Sequence, residues 1–187
     1  MTRIFLRAAN PIFLCLIVLF GIGIQTSLFR EPPLHYFQPD IVLIAVIWCA
    51  LRRDFAVGGI ITLVLGELAE IHSAAPSGIM LMLYLLVYFS VRLVMRLIVL
   101  PDLTALVLLT LGASVAWHIG NLVILMMLGV EVSFAHTLTY LFPGAVSDGL
   151  LALWAFKLLD RFDWLTFKSR RAQQILEDEL QLEAEGF

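Results

Sequence analysis

Six long apolar runs, separated by short polar junctions, limit what this chain can fold into. A helix needs about 20 apolar residues to cross roughly 30 Å of hydrocarbon. Most of the runs approach or exceed that length, although the second is short for a complete span. We interpret the runs as six transmembrane helices at residues 11–29, 39–53, 55–71, 78–100, 103–128 and 134–159. The first run lacks a small-x-small cleavage site, so we expect a retained helix rather than a signal peptide.

The composition favours a membrane protein over a soluble one. Charged residues make up 14% of the chain, whereas soluble domains carry about 25%. The net charge is −3 and no basic stripe interleaves with aromatic residues, which disfavours nucleic-acid binding. Cys15 and Cys49 lie inside apolar runs without CxxC spacing, so we interpret both as small hydrophobic residues.

The lysines and arginines predict the orientation, because basic residues are enriched in cytoplasmic loops. Six spans place both termini on one side. With that side cytoplasmic, 11 of the 12 basic residues face the cytoplasm and only Arg30 lies outside. Residues 1–160 then form the transmembrane domain, and residues 161–187 form a cytoplasmic tail that begins basic and aromatic and ends acidic. The tail is either a solvated helical extension or a docking helix for a cytoplasmic partner.

Polar side chains inside the fifth span need an explanation, since they are costly in hydrocarbon. His118 and Asn121 are three residues apart and share one helix face. Beside them runs a ridge of small residues formed by Gly112, Ala116 and Gly120. Such a ridge permits close helix packing within a six-helix bundle. The alternative is a ligand pocket or a groove for a partner helix.

The sixth span contains a buried acid after a proline. Pro143 removes one helical hydrogen bond and precedes Asp148 by five residues. This pattern predicts either a locally opened helix whose carboxylate lines a cavity, or a kinked helix whose Asp148 meets Asn121 or a water. The sequence leaves both open.

The junction GELAEIHSAAPSG at residues 66–78 brings Glu67, Glu70 and His72 together. A zinc-protease helix needs His-Glu-x-x-His, and this junction has one histidine at a different spacing. No nucleophile accompanies the acids, so we expect no catalytic residue, no metal and no cofactor here. On the predicted orientation the junction faces outward. Because a carboxylate is unfavourable at a helix C-terminus, we expect Glu70 to hold the turn or to meet a partner.

The same junction resembles the rod shape-determining protein MreD family. Members show a glycine, an acidic residue four positions later, and then a small residue, a proline and a glycine. The matching positions here are Gly66, Glu70, Ser73, Pro76 and Gly78. The Pro-Asp start of the short second span, the Arg-Arg turn and the number of spans are also similar. The family usually has Asp at position 70, so the reach of the carboxylate differs.

The resemblance implies an all-α polytopic fold similar to the substrate-binding subunits of energy-coupling-factor transporters, and it implies no enzymatic activity. It further implies a scaffold of the bacterial cell-elongation machinery that binds MreC, together with RodA, a class B penicillin-binding protein and the actin-like MreB. The location would be the bacterial cytoplasmic (inner) membrane. The candidate partner-binding or structural positions are Glu67, Glu70, Ser73, Pro76, Gly78, Gly112, Ala116, His118, Gly120, Asn121 and Asp148.

The alternative is the vitamin-transporter subunit itself. Those subunits commonly present an Ala-x-x-x-Ala seam on their first helix, and the first span here contains no alanine. The loop between the first two spans is also short for a ligand lid. Both features favour the MreD-like scaffold.

Overall fold

Six α-helices and one turn of 3-10 helix account for nearly all of the residues that this computed structural model describes. The structure describes the backbone of residues 2–32, 34–73, 76–97, 103–130 and 134–185, and the side chains of residues 10–32, 34–73, 76–97, 105–130 and 137–164. The α-helices are α1 (Thr2–Leu28), α2 (Ile41–Arg52), α3 (Phe55–Ile71), α4 (Ile79–Leu97), α5 (Leu103–Met127) and α6 (Phe134–Glu185), with the 3-10 helix at Leu34–Phe37 before α2.

Five segments are long and apolar enough to cross a membrane, which indicates an all-α, multi-pass membrane protein. They are Asn10–Leu28, Leu34–Arg52, Ile79–Leu97, Ala105–Met127 and Thr137–Trp164. The second segment combines the 3-10 helix with α2. The added residues explain how the short predicted span at 39–53 becomes long enough to cross the membrane. The remaining predicted span, at residues 55–71, is α3, which is not one of these five segments; its 17 residues extend about 26 Å.

Helix α2 is the centre of the bundle. Every residue from 42 to 50 is buried, and α2 contacts each of the other five α-helices. Trp48 in its middle is 0% exposed. A helix that is apolar on all faces is stable only when other helices surround it. The five other helices therefore pack around α2.

Helix α1 lies at the edge of the bundle and packs mainly on α2 and α3. Its buried face consists of Leu14, Val18 and Ile22, which are spaced four residues apart. The opposite face exposes large apolar side chains, among them Phe13 and Phe20. Such a face suits contact with lipid rather than with water.

One end of the bundle is tied together by Arg53, which follows α2. Its guanidinium donates to Asn10 Oδ1 of α1 and to Asp163 Oδ1 of α6, both at 2.7 Å. Arg92 of α4 donates to the backbone carbonyl of Arg53. Four helices thus meet at one side chain and its carbonyl.

A second pairing at the same end joins α2 to α6. The indole N–H of Trp48 and the guanidinium of Arg52 each donate to the carboxylate of Asp160 at 2.9 Å. Arg52, Arg53 and Arg92 therefore gather at one end of the bundle.

Helix α6 continues through Pro143 to Glu185 without a break. The helix is therefore not opened at Pro143, although Asp148 does line a cavity, as that alternative expected. The Ser147 hydroxyl lies 2.9 Å from the carbonyl oxygens of Pro143 and Gly144 and donates to both, which satisfies acceptors in this turn. The backbone helix also passes residue 161, where a separate tail was predicted. The side chains of the acidic stretch, on which partner docking depends, lie outside the described residues.

Gly58 of α3 allows a close approach to α2 and α4, and this contact is testable. A Cβ at Gly58 would lie 2.7 Å from the Tyr88 hydroxyl oxygen and 3.1 Å from the Cys49 carbonyl oxygen. We expect Gly58→Ala to lower the free energy of unfolding by about 1–3 kcal/mol through overpacking. Thermal unfolding of the detergent-solubilised protein measures this.

Gly23→Ala on α1 is the matched control, because a Cβ there has no neighbour within 4 Å. Alanine is the better helix former, so we expect unchanged or slightly higher stability. Equal losses in both variants would contradict the packing argument.

Candidate functional site

Two acidic residues, Asp40 at the N-terminal end of α2 and Asp148 of α6, form a hydrogen-bond network that joins four helices. Asp40 caps α2, with Oδ1 accepting from the Leu43 N–H at 2.9 Å. Its Oδ2 accepts from the Tyr84 hydroxyl of α4 at 2.7 Å. The backbone N–H of Asp40 donates to Asp148 Oδ1 of α6 at 2.6 Å. Asp148 Oδ2 accepts from the Ser114 hydroxyl of α5 at 2.5 Å. Each of the four carboxylate oxygens thus has one donor.

The donors in this network are all uncharged. Asp148 is 1% exposed, and no described lysine or arginine forms an ion pair with it or with Asp40. A buried acidic group is tolerated only when hydrogen bonds replace its hydration. The network meets that requirement but leaves two acidic groups close together without a basic partner.

A partly enclosed cavity of about 360 Å³ lies beside the network. All six α-helices and the 3-10 helix contribute to its wall. The volume falls within the range of about 300–1,000 Å³ that is usual for small-molecule sites. Asp40 and Asp148 line it, and the described lining residues include no lysine or arginine. The aromatic and imidazole lining residues are His35, Tyr36, His72, Tyr84, Trp117, His118 and Tyr140.

The rings form two clusters in the cavity wall. Tyr36 stacks on Tyr140 with centroids 5.3 Å apart and an interplanar angle of 28°. His35 Nε2 lies 2.7 Å from the Tyr140 hydroxyl. On another side, Tyr84 and Trp117 have centroids 5.8 Å apart. The buried Trp117 Nε1 and His35 Nδ1 find no hydrogen-bond partner among the described residues. The wall therefore consists of aromatic rings together with two buried polar atoms that have no hydrogen-bond partner among the described residues.

Glu70 holds the turn between α3 and α4. Its carboxylate accepts from the backbone N–H of Gly78, and also from that of Leu81 at 3.3 Å. These are free donors at the start of α4, so the positive end of α4 compensates for the unfavourable end of α3. Gly78 has φ of +91°, a backbone conformation that glycine adopts most easily. Of the two roles expected for Glu70, the structure shows this one, and contact with a partner stays a prediction.

The other junction residues lie around this turn. The Ser73 N–H donates to the Glu70 carbonyl at 3.0 Å, and His72 Nδ1 lies 2.8 Å from the Leu68 carbonyl oxygen. Pro76 and Glu67 are exposed. Among the described residues, no group of three His, Cys, Asp or Glu side chains is placed to hold a metal ion. The described part of the junction therefore connects α3 to α4, and Glu67 and Pro76 are exposed at its surface.

The small-residue ridge of α5 divides between the inside and the outside of the bundle. A Cβ at Gly120 would lie 3.0 Å from a Leu83 methyl group, so Gly120 packs against α4. Gly112 and Ala116 are exposed, and a Cβ at Gly112 would meet nothing within 4 Å. Packing within the bundle therefore accounts for Gly120 and leaves the other two on the surface.

The polar pair of α5 also separates. His118 lines the cavity and lies 3.3 Å from the Cβ position of Gly144 on α6. Asn121 does not meet Asp148, and its buried Oδ1 has no partner among the described residues. The contact with Asn121, one of the two considered for Asp148, is therefore wrong; the donors to that carboxylate are Ser114 and the N–H of Asp40.

The fold and the cavity define the class: an all-α, multi-pass membrane protein with a cavity at one end, next to paired acids. Comparison with protein-family models, with curated proteins and with solved structures finds no match.

The network around Asp148 predicts a cost for replacing one of its two acceptor oxygens. In Asp148→Asn the amide nitrogen cannot accept a hydrogen bond, so either Ser114 or the Asp40 N–H loses its acceptor. We expect the free energy of unfolding to fall by about 1–3 kcal/mol. Unfolding in detergent by heat or by denaturant measures this.

Glu67→Gln is the control for this change, since Glu67 is exposed on α3. It makes the same loss of charge outside the network, and we expect stability within about 0.5 kcal/mol of the parent. If Asp148→Asn unfolds at the temperature of Glu67→Gln, the network does not stabilise the bundle.

Proposed function

We propose that this protein is a non-catalytic membrane scaffold of the bacterial cell-elongation machinery, similar to MreD. It binds an MreC partner in the cytoplasmic membrane and links it to the peptidoglycan synthases RodA and a class B penicillin-binding protein, beside MreB. Both termini lie in the cytoplasm. The basic end that contains Arg52, Arg53 and Arg92 supports that orientation.

The observation that carries the proposal is the role of the residues that resemble MreD. Gly66 packs against α4, since a Cβ there would lie 3.2 Å from the Leu81 Cα. Glu70 and Gly78 form the turn that follows. Asp40, which opens the second span in the same pattern, caps α2 and joins three other helices through the network. The shared pattern therefore consists of residues that build one end of this bundle.

The outward part of the α5 ridge is the surface that we assign to a partner's transmembrane helix. Gly112 and Ala116 are flanked by Leu108 and Ile119, which are 63% and 48% exposed. Small residues between larger apolar ones allow a second helix to approach closely in lipid. The exposed Pro76 lies at the junction that would touch the partner's extracytoplasmic stem.

Deletion and crosslinking test the proposal in a rod-shaped host. We expect deletion of the gene to give round cells. We also expect the tagged full-length protein, crosslinked in native membranes, to capture MreC. Rod-shaped cells after deletion, together with no captured MreC, would contradict the proposed scaffold function.

The partner surface has its own test, Gly112→Leu. The added side chain enters open space in the isolated protein, so folding is retained, but it blocks a close-packed partner helix. We expect about a tenfold loss of captured MreC, equivalent to about 1.4 kcal/mol. Gly23→Leu on α1 is the control, since its Cβ position is equally open. Equal capture of MreC by both variants would contradict the assignment of this α5 surface to the partner helix.

A second candidate is the substrate-binding subunit of an energy-coupling-factor vitamin transporter. The cavity beside the acidic network favours it, because all six helices line it. The distinguishing measurement is mass spectrometry of the protein purified in mild detergent. A vitamin released on denaturation, together with normal cell shape after deletion, would favour the transporter subunit over the scaffold.

A further inference from the structure

The cavity has a chemical character that narrows what it can hold. Its described wall carries two acidic residues, Asp40 and Asp148, and no lysine or arginine. Their existing hydrogen bonds come from neutral donors, one to each oxygen. A carboxylate oxygen has two lone pairs, so each retains capacity for another contact. An anion entering this cavity would meet carboxyl oxygens and no lysine or arginine among the described wall residues.

The rings of the wall add a second preference for positive charge. The stacked pair Tyr36 and Tyr140 and the pair Tyr84 and Trp117 border the same space. Ring faces attract ammonium groups through their quadrupole, and rings combined with carboxylates recognise organic cations. The wall also contains apolar side chains, including Ile22 and Met80, that can receive the hydrocarbon part of such a molecule.

We propose that the cavity is a binding site for an organic ammonium cation, held by the ring faces of Tyr36, Tyr140 and Trp117 and by the acidic pair Asp40 and Asp148. The bound cation takes the place of a basic partner, which the acidic pair lacks among the described residues. The site is independent of the scaffold proposal, because the partner surface on α5 is separate from the cavity lining. The ammonium group comes either from a water-soluble molecule or from a lipid headgroup.

A matched pair of probes tests the charge preference. Benzyltrimethylammonium and phenylmethanesulfonate share a benzyl group and carry opposite charges. Isothermal titration calorimetry of the full-length protein in detergent, against a detergent blank, should detect the cation with a dissociation constant below about 1 mM. We expect the sulfonate to bind at least tenfold more weakly. No binding of the cation, or equal binding of both probes, would overturn the proposal.

Two substitutions at Tyr36 separate ring recognition from general apolar binding. Tyr36→Leu removes the ring and keeps an apolar side chain, and we expect the affinity for the cation to fall roughly two- to thirty-fold. Tyr36→Phe keeps the ring face, and we expect the affinity to stay within about twofold. Tyr36 lies on the 3-10 helix and makes none of the hydrogen bonds of the acidic network. Equal affinities for the two variants would overturn the role of the rings.

Asp148→Asn tests the acidic pair where the variant folds. We expect the preference for the cation over the sulfonate to shrink about tenfold. An unchanged preference in a folded variant would contradict the assignment of Asp148.

Nanodiscs distinguish the two sources of the ammonium group. With a lipid headgroup as the source, phosphatidylethanolamine nanodiscs should weaken binding of benzyltrimethylammonium relative to phosphatidylglycerol nanodiscs. With a soluble source, the affinities should agree in both lipids. Loss of binding in both kinds of nanodisc would overturn the site.

Discussion

The hydrogen bond from the Asp40 N–H to the Asp148 carboxylate is the contact on which this bundle most depends. It joins the start of the central helix α2 to α6, while Tyr84 and Ser114 bring in α4 and α5. Because α2 has too few residues to span the bilayer, its start must be placed within the protein. Capped backbone groups and paired donors make that burial possible.

The two ends of the bundle use different chemistry. At the basic end, charged guanidiniums meet carboxylates, as Arg53 meets Asp163 at 2.7 Å. At the other end, the acids meet only neutral donors, and the cavity opens between the helices beside them. The first arrangement closes the helix ends tightly. The arrangement at the acidic end leaves a cavity and two acidic groups without a basic partner among the described residues. The proposed ligand site therefore lies at the acidic end.

Much of the fold could be predicted from the sequence, since apolar runs and charge distribution are local properties. The residues of the Glu70 turn were also visible, because a carboxylate at a helix end and a glycine after a proline suggest a particular turn. The hydrogen-bond network around Asp40 and Asp148 could not be predicted from the sequence. Ser114 and Tyr84 are ordinary side chains in apolar runs, and the partners considered for Asp148 were Asn121 or a water. Ser114 and Asn121 are seven residues apart and therefore lie on nearly the same face of α5, so the position of α5 along its own axis relative to α6 decides which of them meets Asp148.

The sequence by itself determined that the chain forms apolar helices, where α2, α3, α4 and α5 begin and end to within about three residues, and which polar residues need partners inside a membrane. It did so because hydropathy and helical periodicity act within each segment. The tertiary structure decided which helix is central, which part of the α5 ridge faces outward, and that rings from four separate segments line one cavity with two acids. Those outcomes depend on the rotation and spacing of helices far apart in the chain, which no local pattern records.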